Sequence, residues 1–192
     1  MDWKAGTTVV VKAHTFKNDR DLQDSILLIR SPYDAILAEF NRQMGNAKGG
    51  DHHTGLASLD DFLSDEWQGM DFGRKAGRWN KLYQQNLLNR KTLPIFYEDL
   101  KRSPIPEMIK IGDFLGQVQS ESDAAARFDC MFGDHSKKFK RSSDREYDPW
   151  QFIDAAQFER INDAIQRLNN TLFNVHGLTL PDGYIRHKSQ DL

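Results

Sequence analysis

An α/β fold, with a parallel β-sheet flanked by helices, is predicted for this 192-residue chain by three observations. Short β-branched or aliphatic runs at Thr8-Val9-Val10-Val11, Ile26-Leu27-Leu28-Ile29 and Leu93-Pro94-Ile95-Phe96 have the composition of strands. Longer stretches with apolar residues at three- and four-residue steps lie between and after them, as amphipathic helices do. Strands that alternate with helices pair in parallel and are covered on both faces. Third, Lys12, His14, Arg30 and Tyr97 each follow a strand closely, and open α/β sheets bind ligands beyond the carboxyl ends of their strands.

The elements follow in order. The first strand ends at Lys12-Ala13-His14, and residues 17–25 read as a polar loop. After the second strand, Ser31 can cap a helix, Pro32 suits its first position, and Asp34 completes a Ser-x-x-Asp capping box. That helix runs from about Pro32 to Met44, with Ile36, Leu37 and Phe40 inward and Glu39, Arg42 and Gln43 toward water. Gly45 to Gly55 is a glycine-rich loop holding His52-His53. Leu59–Met70 and Arg74–Asn89 read as helices, the first with Leu59, Phe62, Leu63 and Trp67 inward, the second with Trp79, Leu82, Tyr83, Leu87 and Leu88. The third strand carries Pro94 near its start, where a missing donor does least harm. Helices are expected over Pro104–Gly116 and about Ser122–Met131, followed by the basic run Lys137-Lys138-Phe139-Lys140-Arg141. Phe158, Ile161, Ile165, Leu168 and Leu172 mark one long helix whose stripe is core packing. Residues 1–185 form a single domain, 186–192 are a tail, and the chain beyond Pro181 is expected to be loosely held.

Composition excludes several classes. The net charge of −2 supplies no basic field for nucleic acid. One cysteine, Cys130, rules out an internal disulfide framework and a cysteine-ligated zinc, and reads as a small buried residue. No third histidine or carboxylate stands at a helical interval from His52-His53, so no metal site is expected. No apolar run reaches membrane-spanning length, and the first residues lack a signal-peptide pattern. Asn169-Asn170-Thr171 is a glycosylation sequon placed inside a predicted helix.

The polar residues that follow the strands suggest chemistry. His14 can serve as a general base near neutral pH. Lys12, two residues earlier, points to the same side in extended backbone and could stabilise developing negative charge. A solvated lysine and a structural histidine are the plainer alternative. Arg30 adds a guanidinium to a helix N-terminus, an anion site, unless it pairs with a carboxylate. The Lys137–Arg141 run offers further phosphate contacts or a solvated face. Tyr97 could stack on a base or serve as a core aromatic with a wet hydroxyl.

In order and spacing, these pieces resemble a sulfotransferase domain. Lys12-Ala13-His14 matches the family's Lys-Thr-His after a strand, and Arg30-Ser31-Pro32-Tyr33-Asp34 matches its strand–Arg-Asn-Pro-x-Asp motif. Tyr97-Glu98-Asp99-Leu100 and Phe114-Leu115-Gly116 match its Tyr-Glu-Asp-Leu/Met and Phe-Leu-Gly. Within the family the chain is most similar to the WSC domain-containing sulfotransferase-like proteins. Leu27-Leu28-Ile29-Arg30-x-Pro32-Tyr33, Ala38-Glu39-Phe40-Asn41-Arg42, Phe139-Lys140-Arg141 and Glu146-Tyr147-Asp148-Pro149 carry that likeness, which spans about residues 8 to 185.

The resemblance implies a P-loop NTPase-like sulfotransferase fold. It also implies transfer of a sulfuryl group from 3′-phosphoadenosine 5′-phosphosulfate (PAPS) to a hydroxyl or amine of a carbohydrate, protein or small molecule, without a metal. His14 would take the acceptor's proton and Lys12 would stabilise the transferring group. Arg30, Lys140 and Arg141 would bind the 3′-phosphate, and Tyr97 would lie near the adenine. Close relatives are membrane-anchored proteins of the Golgi and secretory route, whereas this chain carries no membrane segment.

Departures are visible. Position 38 is Ala where many members place a phosphate-binding serine, and the usual Gly-x-Trp-Lys is matched only approximately by Lys140-Arg141. The family's first strand and its 5′-phosphosulfate loop belong before residue 8, so an N-terminally truncated form is expected, a fragment or a natural truncation. A non-catalytic sulfotransferase-like binding module is the alternative. A nucleotide kinase shares the architecture but needs the same upstream loop.

Overall fold

The structure is a computed structural model that describes residues 25–47, 55–88, 91–117, 120–132 and 147–188. The expected strand at Thr8–Val11, the His52-His53 pair and the basic run Lys137–Arg141 lie outside the described residues. Among the described residues the protein is mixed α/β and mostly helical, with a small parallel sheet of two strands flanked by helices. β1 (Ser25–Ile29) leads into α1 (Pro32–Ala47). Three more helices follow, α2 (Leu59–Leu63), α3 (Asp65–Gln68) and α4 (Phe72–Leu87). β2 (Thr92–Phe96) then pairs with β1 from Ser25↔Thr92 to Ile29↔Phe96. α5 (Tyr97–Arg102), α6 (Pro104–Phe114) and α7 (Glu121–Phe132) come next. A 3₁₀ turn (Pro149–Phe152) precedes the long α8 (Ala155–His176), and a second (Asp182–Tyr184) lies near the C-terminus.

The helical stripe behaves as its periodicity requires. Phe158, Ile161, Ile165, Leu168 and Leu172 are buried on α8, which packs against α4. The centre of the core is aromatic, with Phe40, Phe62, Trp67, Phe72 and Trp150 all fully or almost fully buried. Asp154 caps α8 by accepting from the Gln157 N–H at 2.7 Å. Gly177 ends it in the left-handed region at φ 67°, its N–H donating to the Phe173 carbonyl at 2.9 Å. No atom lies within 4 Å of a Cβ built there, so Gly177→Ala meets a conformational cost and no clash. A loss of about 1 kcal/mol is expected in chemical unfolding; an unchanged midpoint would show that this cap adds nothing.

Several local expectations need correction. The helix expected over Leu59–Met70 is two helices, broken at Ser64, whose backbone is extended at φ −78° and ψ 163°. Residues five apart sit about 140° apart around one continuous helix, so a break is what allows Phe62 and Trp67 both to be buried. Ser58 and Asp61 form a complete capping box at the start of α2. Leu59, Leu63, Leu82 and Leu88, read as inward, are exposed. Cys130 is exposed on α7, not buried. The chain beyond Pro181 is held as far as it is described: Tyr184 is buried and Lys188 Nζ donates to the Ile153 carbonyl at 2.8 Å. The sequon's Asn169 is inside α8, and its Oδ1 accepts the Leu180 N–H at 2.7 Å.

Candidate functional site

Parallel pairing sends β1 and β2 out on the same edge, and the Ile29↔Phe96 register places the next residues, Arg30 and Tyr97, side by side. The Arg30 guanidinium carbon lies 4.8 Å from the centroid of the Tyr97 ring, within cation–π range. The Arg30 backbone is clamped from α4. Trp79 Nε1 donates to its carbonyl at 2.9 Å, and the Tyr83 hydroxyl lies near its backbone. Burial pushes the Tyr83 hydroxyl above its ordinary range; the Arg30 backbone contact opposes that rise. The phenol therefore stays neutral through physiological pH.

The start of α1 is capped differently from the local expectation. Ser31 Oγ is buried without a hydrogen-bond partner, and the Asp34 carboxylate accepts from Arg186 at 3.0 Å. Glu98, 67 residues on, accepts the Ser31 N–H at 3.0 Å. A carboxylate at the third helical position is thus replaced by one delivered from α5. The second Glu98 oxygen takes the Tyr184 hydroxyl at 2.5 Å, and that hydroxyl is also 3.2 Å from the Ile29 carbonyl. Burial, then the Glu98 carboxylate, pushes the Tyr184 hydroxyl well above its ordinary pKa, so Tyr184 is a permanent donor.

Two polar atoms stand out at this exit. Arg30 Nε and Ser31 Oγ are buried and unpartnered among the described residues. Buried donors in a native protein usually have partners. Together with the α1 N-terminus they form a donor set that suits a phosphate. A cavity of about 520 Å³ opens beside it, bounded by Ser31, Asp34, Glu98, Asp99, Arg102 and Tyr184 among others. Asp34, Glu98, Asp99 and Asp182 outnumber Arg102 and Arg186 on its wall, so the cavity itself favours no anion. Ser31 bounds this cavity, whereas Arg30 is not among its lining residues.

Of the residues singled out from the sequence, Arg30 and Tyr97 are brought together. Lys12, His14, Lys140 and Arg141 lie outside the described residues. Trp79, Tyr83, Glu98, Tyr184 and Arg186 were not singled out as site residues. Glu98 stood within a quoted motif and could have been found as an acidic residue one past a strand exit. Tyr184 and Arg186 carry no local signal. Among the described residues, no group of three His, Cys, Asp or Glu could hold a metal ion, and no helix is long and apolar enough to cross a membrane. No family model and no solved structure matches the chain.

Proposed function

We propose that this chain is a sulfotransferase-like protein of the P-loop NTPase-like architecture, whose substrates are PAPS and a hydroxyl or amine acceptor. One observation carries the reading: Arg30 and Tyr97, 67 residues apart, meet at 4.8 Å beside the α1 N-terminus, with Arg30 Nε and Ser31 Oγ unpartnered. A guanidinium, a hydroxyl and a helix N-terminus are suited to the 3′-phosphate of the nucleotide. An adjoining tyrosine ring is suited to its adenine. The motif order described above supplies the rest of the assignment, with Lys140 and Arg141 as further phosphate contacts.

In this reading the acceptor oxygen or nitrogen attacks sulfur while the bond from sulfur to the 5′-phosphate oxygen breaks. His14 takes the acceptor's proton, Lys12 balances charge on the transferring group, and adenosine 3′,5′-bisphosphate leaves. Such a transfer asks chiefly for positioning and charge stabilisation. A second reading, a non-catalytic binding module, is favoured by Ala38, whose side chain offers no donor to phosphate.

The test is calorimetric titration of the protein with adenosine 3′,5′-bisphosphate. Saturable binding is expected, weakened roughly 10- to 100-fold in Arg30→Ala, as loss of a charge-assisted contact implies. A folded chain that binds nothing, or an Arg30→Ala variant that binds as well as the wild type, would refute the phosphate assignment.

A further inference from the structure

Arg30 is flanked by a carboxylate that does not pair with it. Glu98 follows Tyr97, whose ring carries the Arg30 guanidinium, and Glu98 bonds the backbone N–H of Ser31, the residue after Arg30. An arginine and a glutamate on neighbouring strand exits can form a charge-assisted pair. Among the described residues none forms, and Arg30 Nε is left without a partner. Both Glu98 oxygens are engaged elsewhere, one by Ser31 and the other by Tyr184.

Tyr184 is well fixed for that purpose. It is 2% exposed, and its hydroxyl also reaches the Ile29 carbonyl. The segment around it is pinned on both sides. Leu180 N–H donates to Asn169 Oδ1 at 2.7 Å, and Arg186 binds Asp34 at 3.0 Å and lies over the Tyr33 ring, its guanidinium carbon 5.1 Å from the centroid. The hydroxyl therefore cannot drift from the carboxylate without unseating the C-terminal segment.

We propose that Tyr184 is a positioning residue that acts through Glu98: by holding the carboxylate on Ser31, it keeps Glu98 from neutralising Arg30 and leaves the guanidinium free for an anionic ligand. The inference rests on the phosphate-binding role proposed for Arg30 and extends it to a segment far away in sequence. Without the Tyr184 hydroxyl, one Glu98 oxygen loses its partner, and the Arg30 guanidinium, which lies over the ring of the adjacent Tyr97, becomes a candidate donor. Glu98 would then compete with the phosphate.

The experiment combines binding with a ligand-free spectroscopic readout. In Tyr184→Phe, affinity for adenosine 3′,5′-bisphosphate is expected to fall about tenfold, the scale of a charge-assisted contact. Tyr184→Phe/Glu98→Gln should recover most of that loss, because glutamine cannot pair ionically with Arg30. A purely structural role for Tyr184 predicts no recovery, and that result would overturn the proposal. Without nucleotide, the Arg30 Nε–H resonance should move in Tyr184→Phe and return toward the wild-type position in the double variant. An unmoved resonance overturns the proposal whatever the titration shows. A wild-type protein that binds no nucleotide, with the resonance moving as expected, would refute the phosphate reading and leave the Tyr184–Glu98 restraint standing. Glu98→Gln alone covers the case in which Tyr184→Phe does not fold. Its Arg30 resonance should match the wild type, and a shift would mean that Glu98 was already paired with Arg30.

Discussion

Trp67→Ala is expected to remove roughly 3–5 kcal/mol of stability, as truncation of a buried large aromatic does. The indole is fully buried, with ring centroids 4.8 Å from Phe40, 4.9 Å from Phe62, 5.0 Å from Phe72 and 5.1 Å from Trp150. These contacts join α1, α2, α3, α4 and the 3₁₀ turn before α8, so one side chain ties together four helices and that turn. Since small domains are stable by only about 5–15 kcal/mol, the variant should unfold at a much lower urea concentration. Trp67→Phe should cost far less. It keeps a ring in place and removes the indole N–H, which is buried without a partner and is itself unfavourable by about 1–3 kcal/mol. Equal losses in the two variants would mean that the aromatic cluster is not what holds the layer together. Because Phe40 lies on α1, the consequence extends to the site: a loosened cluster loosens the helix whose first turn follows Arg30.

His14→Ala is expected to lower sulfuryl transfer by about 10²- to 10⁴-fold, the usual contribution of a general base, while leaving product-nucleotide affinity within about twofold. The proposed roles give the acceptor's proton to His14 and the 3′-phosphate to Arg30, so chemistry and nucleotide binding should separate. Release of adenosine 3′,5′-bisphosphate from PAPS in the presence of an acceptor measures the first, and calorimetry the second. Arg30→Ala should show the opposite pattern, with weakened binding as its primary defect. If His14→Ala impairs both equally, the base assignment fails and the histidine is structural. Rate and binding both unaltered would favour the non-catalytic module.

Much of the frame was legible because it is written in local patterns. The three- and four-residue steps from Phe158 to Leu172 require one buried face, and α8 has it. Ile26–Ile29 and Leu93–Phe96 have the composition of strands, and they pair in parallel with α1 to α4 between them, although Leu28 is exposed and not buried as the apolar run predicts. Arg30 and Tyr97 could be singled out because parallel strands leave a sheet on the same edge. Their proximity follows from that rule and the register.

What only the tertiary structure decided was the choice among partners that were each locally plausible. Ser31 and Asp34 have the spacing of a capping box, yet the Ser31 N–H goes to Glu98 and Asp34 goes to Arg186. The extended break at Ser64 answers to the burial of both Phe62 and Trp67. Tyr184, in a segment that reads as a loose end, is buried against Ile29 and Glu98 because α8 returns the chain to the strand exit. The physical reason is common to all three. A short segment determines which hydrogen bonds and faces are available, but a buried N–H or ring takes the partner that desolvation leaves within reach, and that partner can lie anywhere along the chain.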